Sequence, residues 1–331
     1  MLPIKFSREI IGFLLPLIIF FSLEGAAQSN TLVAAVYSRL DNSPIEYVAI
    51  GIKGSREGTF SNARGQFTIT CQSGDSLIIS AIGYKKKTCD CRKEKIYLDT
   101  SAVRLEEVII RPSGKSIRRN LGYFNKKRAG AFTGFSAVLC FIENKNKERC
   151  LLSKANFLLS KVRWLDGLPE TAFHQLLVRL LIYHVKPYTD EPGLLILTKN
   201  ITENVEPLQR KVSFDISGLG LDFPLEGILI GIEFLGYTAD GEFTPFSSKD
   251  KNKFLQYKAG MTKAEGRARG WLRDNYSDQW IPISRGIQPE HNPNFGLEVI
   301  CEKQRSFRKR KEAEGIPSVP RGNKAQATSR Y

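Results

Sequence analysis

Hydrophobic and polar positions alternate along most of this chain in short runs, and a two-residue period predicts strands, not helices. Between about Thr31 and Arg111 the runs are rich in Val, Ile and aromatic residues. Turn-forming clusters separate them at Asp41-Asn42-Ser43-Pro44, Gly54, Asn62-Ala63-Arg64-Gly65, Ser73-Gly74-Asp75 and Arg92-Lys93. Spacing this regular predicts a β-sandwich. Phe67, Ile69 and Cys71 point to one face of their strand, and Leu77 and Ile79 form a second inward set. Gly65 supplies a positive φ where Arg64 turns into the next strand, and Gly83 allows another strand to approach beside Tyr84.

A second strand-rich region follows, with runs at Phe135 to Ile142, Cys150 to Arg163, Leu176 to Lys186, Lys211 to Ile216, Ile228 to Leu235 and Ile281 to Ser284. One segment fits two patterns. Phe173, Leu176, Leu177, Leu180, Leu181 and His184 make a helical stripe, while Leu177, Arg179, Leu181, Tyr183 and Val185 alternate. Its strand neighbours and the turn at Asp190-Glu191-Pro192-Gly193 favour a strand. The fold expected is all-β, with two β-sandwich domains at residues 30–111 and 131–300. A basic linker at 112–130 joins them, and a disordered basic tail occupies 301–331.

The N-terminal end has the layout of a secretory signal peptide over residues 1–28. Lys5 and Arg8 precede an uncharged apolar run from Ile10 to Leu23, then the small residues Gly25, Ala26 and Ala27. Pro16 interrupts the run, which falls short of the roughly 20 apolar residues that cross a bilayer. An uncleaved anchor is the alternative. The expectation is an exported protein of the periplasm or outer-membrane surface, with no transmembrane span after signal removal.

Charge sharpens this picture through its distribution. The net charge is +15, yet residues 112–130 alone carry six bases and no acid, and residues 302–331 carry nine bases against three acids. Export argues against nucleic acid as a partner, which leaves solvated flexible segments or an anionic envelope surface as the meaning of those charges. Six cysteines in an exported chain permit disulfides. If Phe135 to Phe141 and Cys150 to Leu159 form a symmetrical hairpin around Lys145, Cys140 lies opposite Cys150, within disulfide reach. Cys89 and Cys91 are too close for an easy mutual bridge, and Cys71 is a possible partner for one of them.

Catalytic motifs are sparse. His174, His184 and His291 are the only histidines and lack metal-ligand spacing, so neither metal nor cofactor is expected. No Gly-x-Ser-x-Gly elbow or phosphate-cradling Gly-rich loop occurs, and Gly218-Leu219-Gly220 reads as a turn. Glu226 with Glu233, or Asp274 with Asp278, are carboxylate pairs of the type glycoside hydrolysis needs, although exposed acids are common. Trp271, Tyr276 and Trp280 cluster in a polar, Gly-rich stretch. There they are candidates for stacking on a sugar face, with core packing as the alternative for each ring.

Four elements stand in one recurrent order: Pro44-Ile45-Glu46-Tyr47-Val48-Ala49-Ile50, the hairpin from Gly58 to Ile69, Gly74-Asp75-Ser76-Leu77-Ile78-Ile79-Ser80-Ala81-Ile82-Gly83-Tyr84, and Leu105-Glu106-Glu107-Val108-Ile109-Ile110. This order resembles the carboxypeptidase-regulatory-like domain, a transthyretin-like (prealbumin-like) β-sandwich, of the exported Bacteroidota type. The resemblance implies an accessory module without the metal-bearing catalytic fold. Such a domain often precedes TonB-dependent transporters, but fewer than 225 residues follow Ile110, too few for a 22-stranded barrel with its plug. The functional expectation is therefore a non-catalytic cell-envelope binding or scaffold protein acting on an envelope protein through its N-terminal sandwich. The alternative is a polysaccharide-binding accessory protein acting through the C-terminal sandwich.

Overall fold

Strand after strand buries every second side chain, as in Gln66–Gln72, where Phe67, Ile69 and Cys71 turn inward, and Ser76–Ser80, where Leu77 and Ile79 do. The computed structural model describes residues 29–101 (except 56), 116–132, 137–160, 174–246 (except 208), 258–273 (except 266–267) and 279–302 (except 286–288). Residues 1–28, expected to be a signal peptide, the closing run 105–110 and the residues beyond 302 lie outside the described residues.

The first unit contains β1 (Ser29–Ser38), β2 (Ala49–Ile52), β3 (Gly58–Phe60), β4 (Gln66–Gln72), β5 (Ser76–Ser80), β6 (Lys87–Asp90) and β7 (Lys95–Leu98). These form a three-stranded sheet ordered β4-β1-β7 and a four-stranded sheet ordered β3-β2-β5-β6. Val36, Ile50, Leu77, Ile79, Ile96 and Leu98 fill the space between them. At the hairpin, the Asn62 Oδ1 accepts from the backbone N–H of Arg64 at 2.9 Å and of Gln66 at 3.0 Å. Gly65 completes the turn at φ +73°, where a Cβ would lie 2.5 Å from the Val36 carbonyl. A disulfide from Cys71 on β4 to Cys91, just past β6, ties the two sheets together.

The second unit begins earlier than its hydrophobic pattern predicts. It contains β8 (Ser116–Gly122), β9 (Gly130–Phe132), β10 (Ala137–Ile142), β11 (Cys150–Ser160), β12 (Gln175–Val185), β13 (Pro192–Leu195), β14 (Thr202–Val205) and β15 (Lys211–Asp215). It continues with β16 (Ile228–Ala239), β17 (Glu242–Pro245), β18 (Lys258–Lys263), β19 (Gly270–Arg273), β20 (Trp280–Pro282), β21 (His291–Pro293) and β22 (Phe295–Glu302). One sheet runs β13-β12-β16-β10-β19-β20 with β14 and β17 attached; the other runs β21-β18-β11-β22-β8 with β9 and β15 attached. Val138, Ile142, Phe157, Leu180, Ile182, Ile230, Ile232 and Phe295 belong to the core of this second sandwich.

Three expectations are corrected here. The stretch 112–130 is not simply a linker, because from Ser116 onward it is part of the sandwich. β8 lies antiparallel to β22, and the backbone carbonyls of Tyr123 and Lys126 accept from the Asn294 side chain at 3.0 and 3.1 Å. Sequence pattern misses this strand because it sits at a sheet edge with mostly exposed side chains. Second, the β10–β11 hairpin does not form: β10 pairs with β16 and β19, while β11 pairs with β15, β18 and β22 in the opposite sheet. Residues 143–149 cross between sheets. Third, the Cys140–Cys150 bridge falls with that hairpin. Cys150 is joined to Cys301 across β11 and β22, and Cys140 is a buried free thiol whose pKa burial pushes up. The segment read either as helix or as strand is β12, a strand.

The outer face of the four-stranded sheet lies over the outer face of the β12-β16-β10-β19 sheet. Ala49, Gly51, Ile78 and Ser80 line the seam from one side, and Arg179, Leu181, Tyr183, Glu233 and Arg273 from the other. Gly83, at φ +82°, packs so near the second unit that a Cβ would stand 2.2 Å from the Thr198 carbonyl. Phe60 closes one end of the seam against Leu177 and Leu235.

Candidate functional site

Three charged side chains lie in one row across the seam face of the larger sheet. Register places Arg179 on β12 beside Glu233 on β16, then Ala137 on β10, then Arg273 on β19. The methyl of Ala137 is short enough for the Arg273 guanidinium to reach over it. Its Nη2 donates to the Glu233 Oε1 at 2.6 Å. Arg179 donates to the Glu233 Oε2 from Nε at 2.9 Å and also from Nη2. Arg179 and Glu233 are buried, whereas the Arg273 side chain keeps 20% of its surface exposed. Burial pushes the Glu233 carboxyl up, but the Arg179 and Arg273 guanidiniums outweigh it and hold the carboxyl below its ordinary range.

The same row fastens the two sandwiches. Arg179 donates from Nη1 to the Tyr47 carbonyl at 2.8 Å and to the Asn200 Oδ1 at 3.0 Å, and the Asn200 amide donates to the Glu46 carbonyl at 3.0 Å. Tyr47 adopts a positive φ of 50° at this contact, with its ring edge-on to Phe243. A pocket of about 80 Å³ opens beside the charges, lined by Ser80, Ala81 and Ile82 from one unit and by Tyr183, Leu195 and Arg273 from the other.

A larger cleft of about 520 Å³ lies where residues 143–149 cross between the two sheets of the second sandwich. Arg119 pairs with Glu148 at 3.0 Å and Arg269 with Glu143 at 3.1 Å, while Lys145 and Lys263 add further positive charge to the wall. The Arg269 guanidinium lies over the Phe141 ring at 5.2 Å, and Asn120, Asn144, Asn146 and Asn292 supply amides. Burial pushes the Tyr123 hydroxyl up to about 12, so it stays a donor at neutral pH. Glu148 approaches Cys150 and Cys301 closely enough to share a metal ion, but both sulfurs are committed to the disulfide and offer no thiolate.

The residues singled out for chemistry fare differently. Trp271 and Trp280 do not form an open sugar platform. Trp271 is 7% exposed and belongs to the core, because β19 is an interior strand between β10 and β20. Trp280 is half-buried, with Arg273 over its ring at 4.7 Å and Tyr183 edge-on at 5.7 Å. Tyr276, Asp274 and Asp278 lie outside the described residues. Glu233 is bound into the charged row, and Glu226 is exposed. His174 packs edge-on to Tyr237, and His184 is exposed. Trp271→Ala is expected to cost about 3–5 kcal/mol, the range for emptying a core aromatic site. Denaturant titration checks this, and a loss below about 1 kcal/mol would return the ring to the surface.

Arg179 and Arg273 were not legible as site residues in the sequence. Arginine on an alternating strand reads as a solvent-facing residue, and the only local signal was an acid, Glu233, inside an otherwise uniformly apolar run.

Residues 35–110 match the family model of the CarboxypepD_reg-like domain, so the first sandwich is a CarboxypepD_reg-like domain with the transthyretin-like fold. No curated protein matches the chain.

Proposed function

We propose that this chain, whose first sandwich is a CarboxypepD_reg-like domain, is a non-catalytic binding or scaffold protein of the cell envelope, exported by its N-terminal apolar segment, that engages an envelope protein through that sandwich. The observation that carries the reading is which face that sandwich leaves outward. Its four-stranded sheet is occupied by the seam, while β4-β1-β7 faces away with Val33 66% exposed and, further along β1, the tilted ring pair Tyr37 and Tyr97. Strands β4 and β7 each have one side without a partner strand among the described residues. Backbone donors and acceptors along such an edge invite an added strand.

The test uses the full chain and a paired variant, Val33→Arg with Tyr37→Ala, both on the outward face. The expected result is loss of partner capture from envelope extract at an unchanged melting temperature. Capture retained in full would remove the outward face of the first sandwich as the binding element.

The cleft favours a second reading, a polysaccharide-binding accessory protein. Its volume falls within the roughly 300–1,000 Å³ typical of ligand sites, and its amides and paired charges suit hydroxyl groups. Under that reading Arg269→Ala abolishes retention on a glycan array, and the outward-face variant leaves it intact.

A further inference from the structure

Two hollows of the second sandwich adjoin along one strand. Beside the large cleft lies another of about 320 Å³, and Asn120, Leu121, Gly122 and Lys126 line both. The smaller hollow is on the outer face of its sheet, because Asn156, which lines it, alternates with the inward Ala155 and Phe157. β8 pairs only with β22 among the described residues, so no strand along its free edge walls one hollow off from the other. Charge in the cleft does not balance. Arg119 pairs with Glu148, Arg269 with Glu143 and Lys126 with Glu265 at 3.7 Å, which engages every acid of the wall. Lys145 and Lys263 line the same wall and have no acidic partner among the described residues. Ion pairs present fixed donors and acceptors to hydroxyl groups, whereas an unpaired ammonium favours an anion. The outer hollow adds uncharged groups: the half-buried Phe124 supplies a ring, and Asn156 accepts the Ser213 hydroxyl on Oδ1 at 2.7 Å, which keeps its amide N–H groups for a ligand. Asn120 and Asn125 contribute two more amides. A ring beside several amides suits a sugar, with its apolar face and its vicinal hydroxyls.

Resting on the polysaccharide reading of the cleft, we propose that the two hollows form one groove over β8 that binds an internal stretch of an acidic, uronate-bearing polysaccharide. Lys145 and Lys263 take the carboxylates in the cleft, and Phe124, Asn125 and Asn156 take the sugar rings that continue onto the outer face. The groove reaches solvent on both sides of β8, which suits a chain passing through and gives no closed end to cap a terminal sugar.

The experiment measures calorimetric affinity of the full chain for a galacturonate trimer, for polygalacturonate and for a neutral galactan of matched length. The wild type should bind polygalacturonate about tenfold more tightly than the trimer and about tenfold more tightly than the galactan. Asn125→Ala with Asn156→Ala should bring the polymer affinity down to that of the trimer, and Lys145→Gln with Lys263→Gln should erase the preference for the acidic chain. Both pairs lie at the surface, and an unchanged melting temperature verifies their fold. Equal affinity for trimer and polymer, or a polymer advantage that survives Asn125→Ala with Asn156→Ala, would overturn the groove while leaving the cleft a saccharide site. Equal affinity for galactan and polygalacturonate would overturn the acidic ligand in the same way. If none of the three binds but Arg269→Ala still abolishes retention of some other glycan on the array, the proposal alone falls; with no glycan retained at all, the polysaccharide reading falls with it.

Discussion

Glu233→Ala is expected to lower stability by about 3–5 kcal/mol, the largest loss for any single substitution at the seam. The cost comes mostly from what is left behind. Two guanidiniums that donate to this carboxylate become a pair of like charges, one of them buried. The melting temperature should fall by roughly 10 °C. Glu233→Gln, which preserves shape but not charge, should lose less. Because the folded carboxyl lies below its ordinary value of 4.5, the stability it contributes is fully present above about pH 4.5. That contribution disappears as the pH drops through the lowered value, so the gap between wild type and Glu233→Gln should close in acid. Replacing the row as a unit, with Arg179→Met, Glu233→Leu and Arg273→Met together, should recover most of the loss, since no charge is then stranded. A Glu233→Ala variant within 1 kcal/mol of the wild type would show that the row does not hold the seam.

The second large effect is expected at the Cys150–Cys301 bridge. It spans 151 residues and thus restrains nearly the whole second sandwich. Loop-closure entropy for a ring of that size corresponds to about 5 kcal/mol, against about 3 kcal/mol for the 20-residue Cys71–Cys91 ring. Cys150→Ser with Cys301→Ser should therefore destabilise more than Cys71→Ser with Cys91→Ser in parallel denaturant titrations. It should also loosen the cleft, which both cysteines help to line. Mass mapping of an unreduced digest is the direct check. A peptide pair joining Cys140 to Cys150 would overturn the crossing between sheets at residues 143–149.

The first sandwich could be read from the chain almost in full, because its determinants are local. Asn62 and Gly65 build their own turn, and the alternation of Phe67, Ile69 and Cys71 sets which face is buried. Gly83 is a point of close approach as expected, but what approaches is not another strand: its neighbour is Thr198, in the connection between β13 and β14 more than a hundred residues later. The candidate site was not legible in the same way. The Trp271 and Trp280 cluster is close in sequence, but Trp271 is drawn into the core and Trp280 lies beneath Arg273. The basic stretch before the second sandwich misled through its charge, since an edge strand can expose its side chains and still pair its backbone.

By itself the chain determined that this protein is all-β, where its strands lie in outline and which of their faces turn inward, because alternation and turn chemistry act over a few residues. Only tertiary structure decided which strands meet: that β10 and β11 part into opposite sheets, that Cys150 finds Cys301, and that Arg179, Glu233 and Arg273 fall into one row. Such pairings depend on register between strands far apart in sequence, where burial of the whole sheet, not any local pattern, selects the partner.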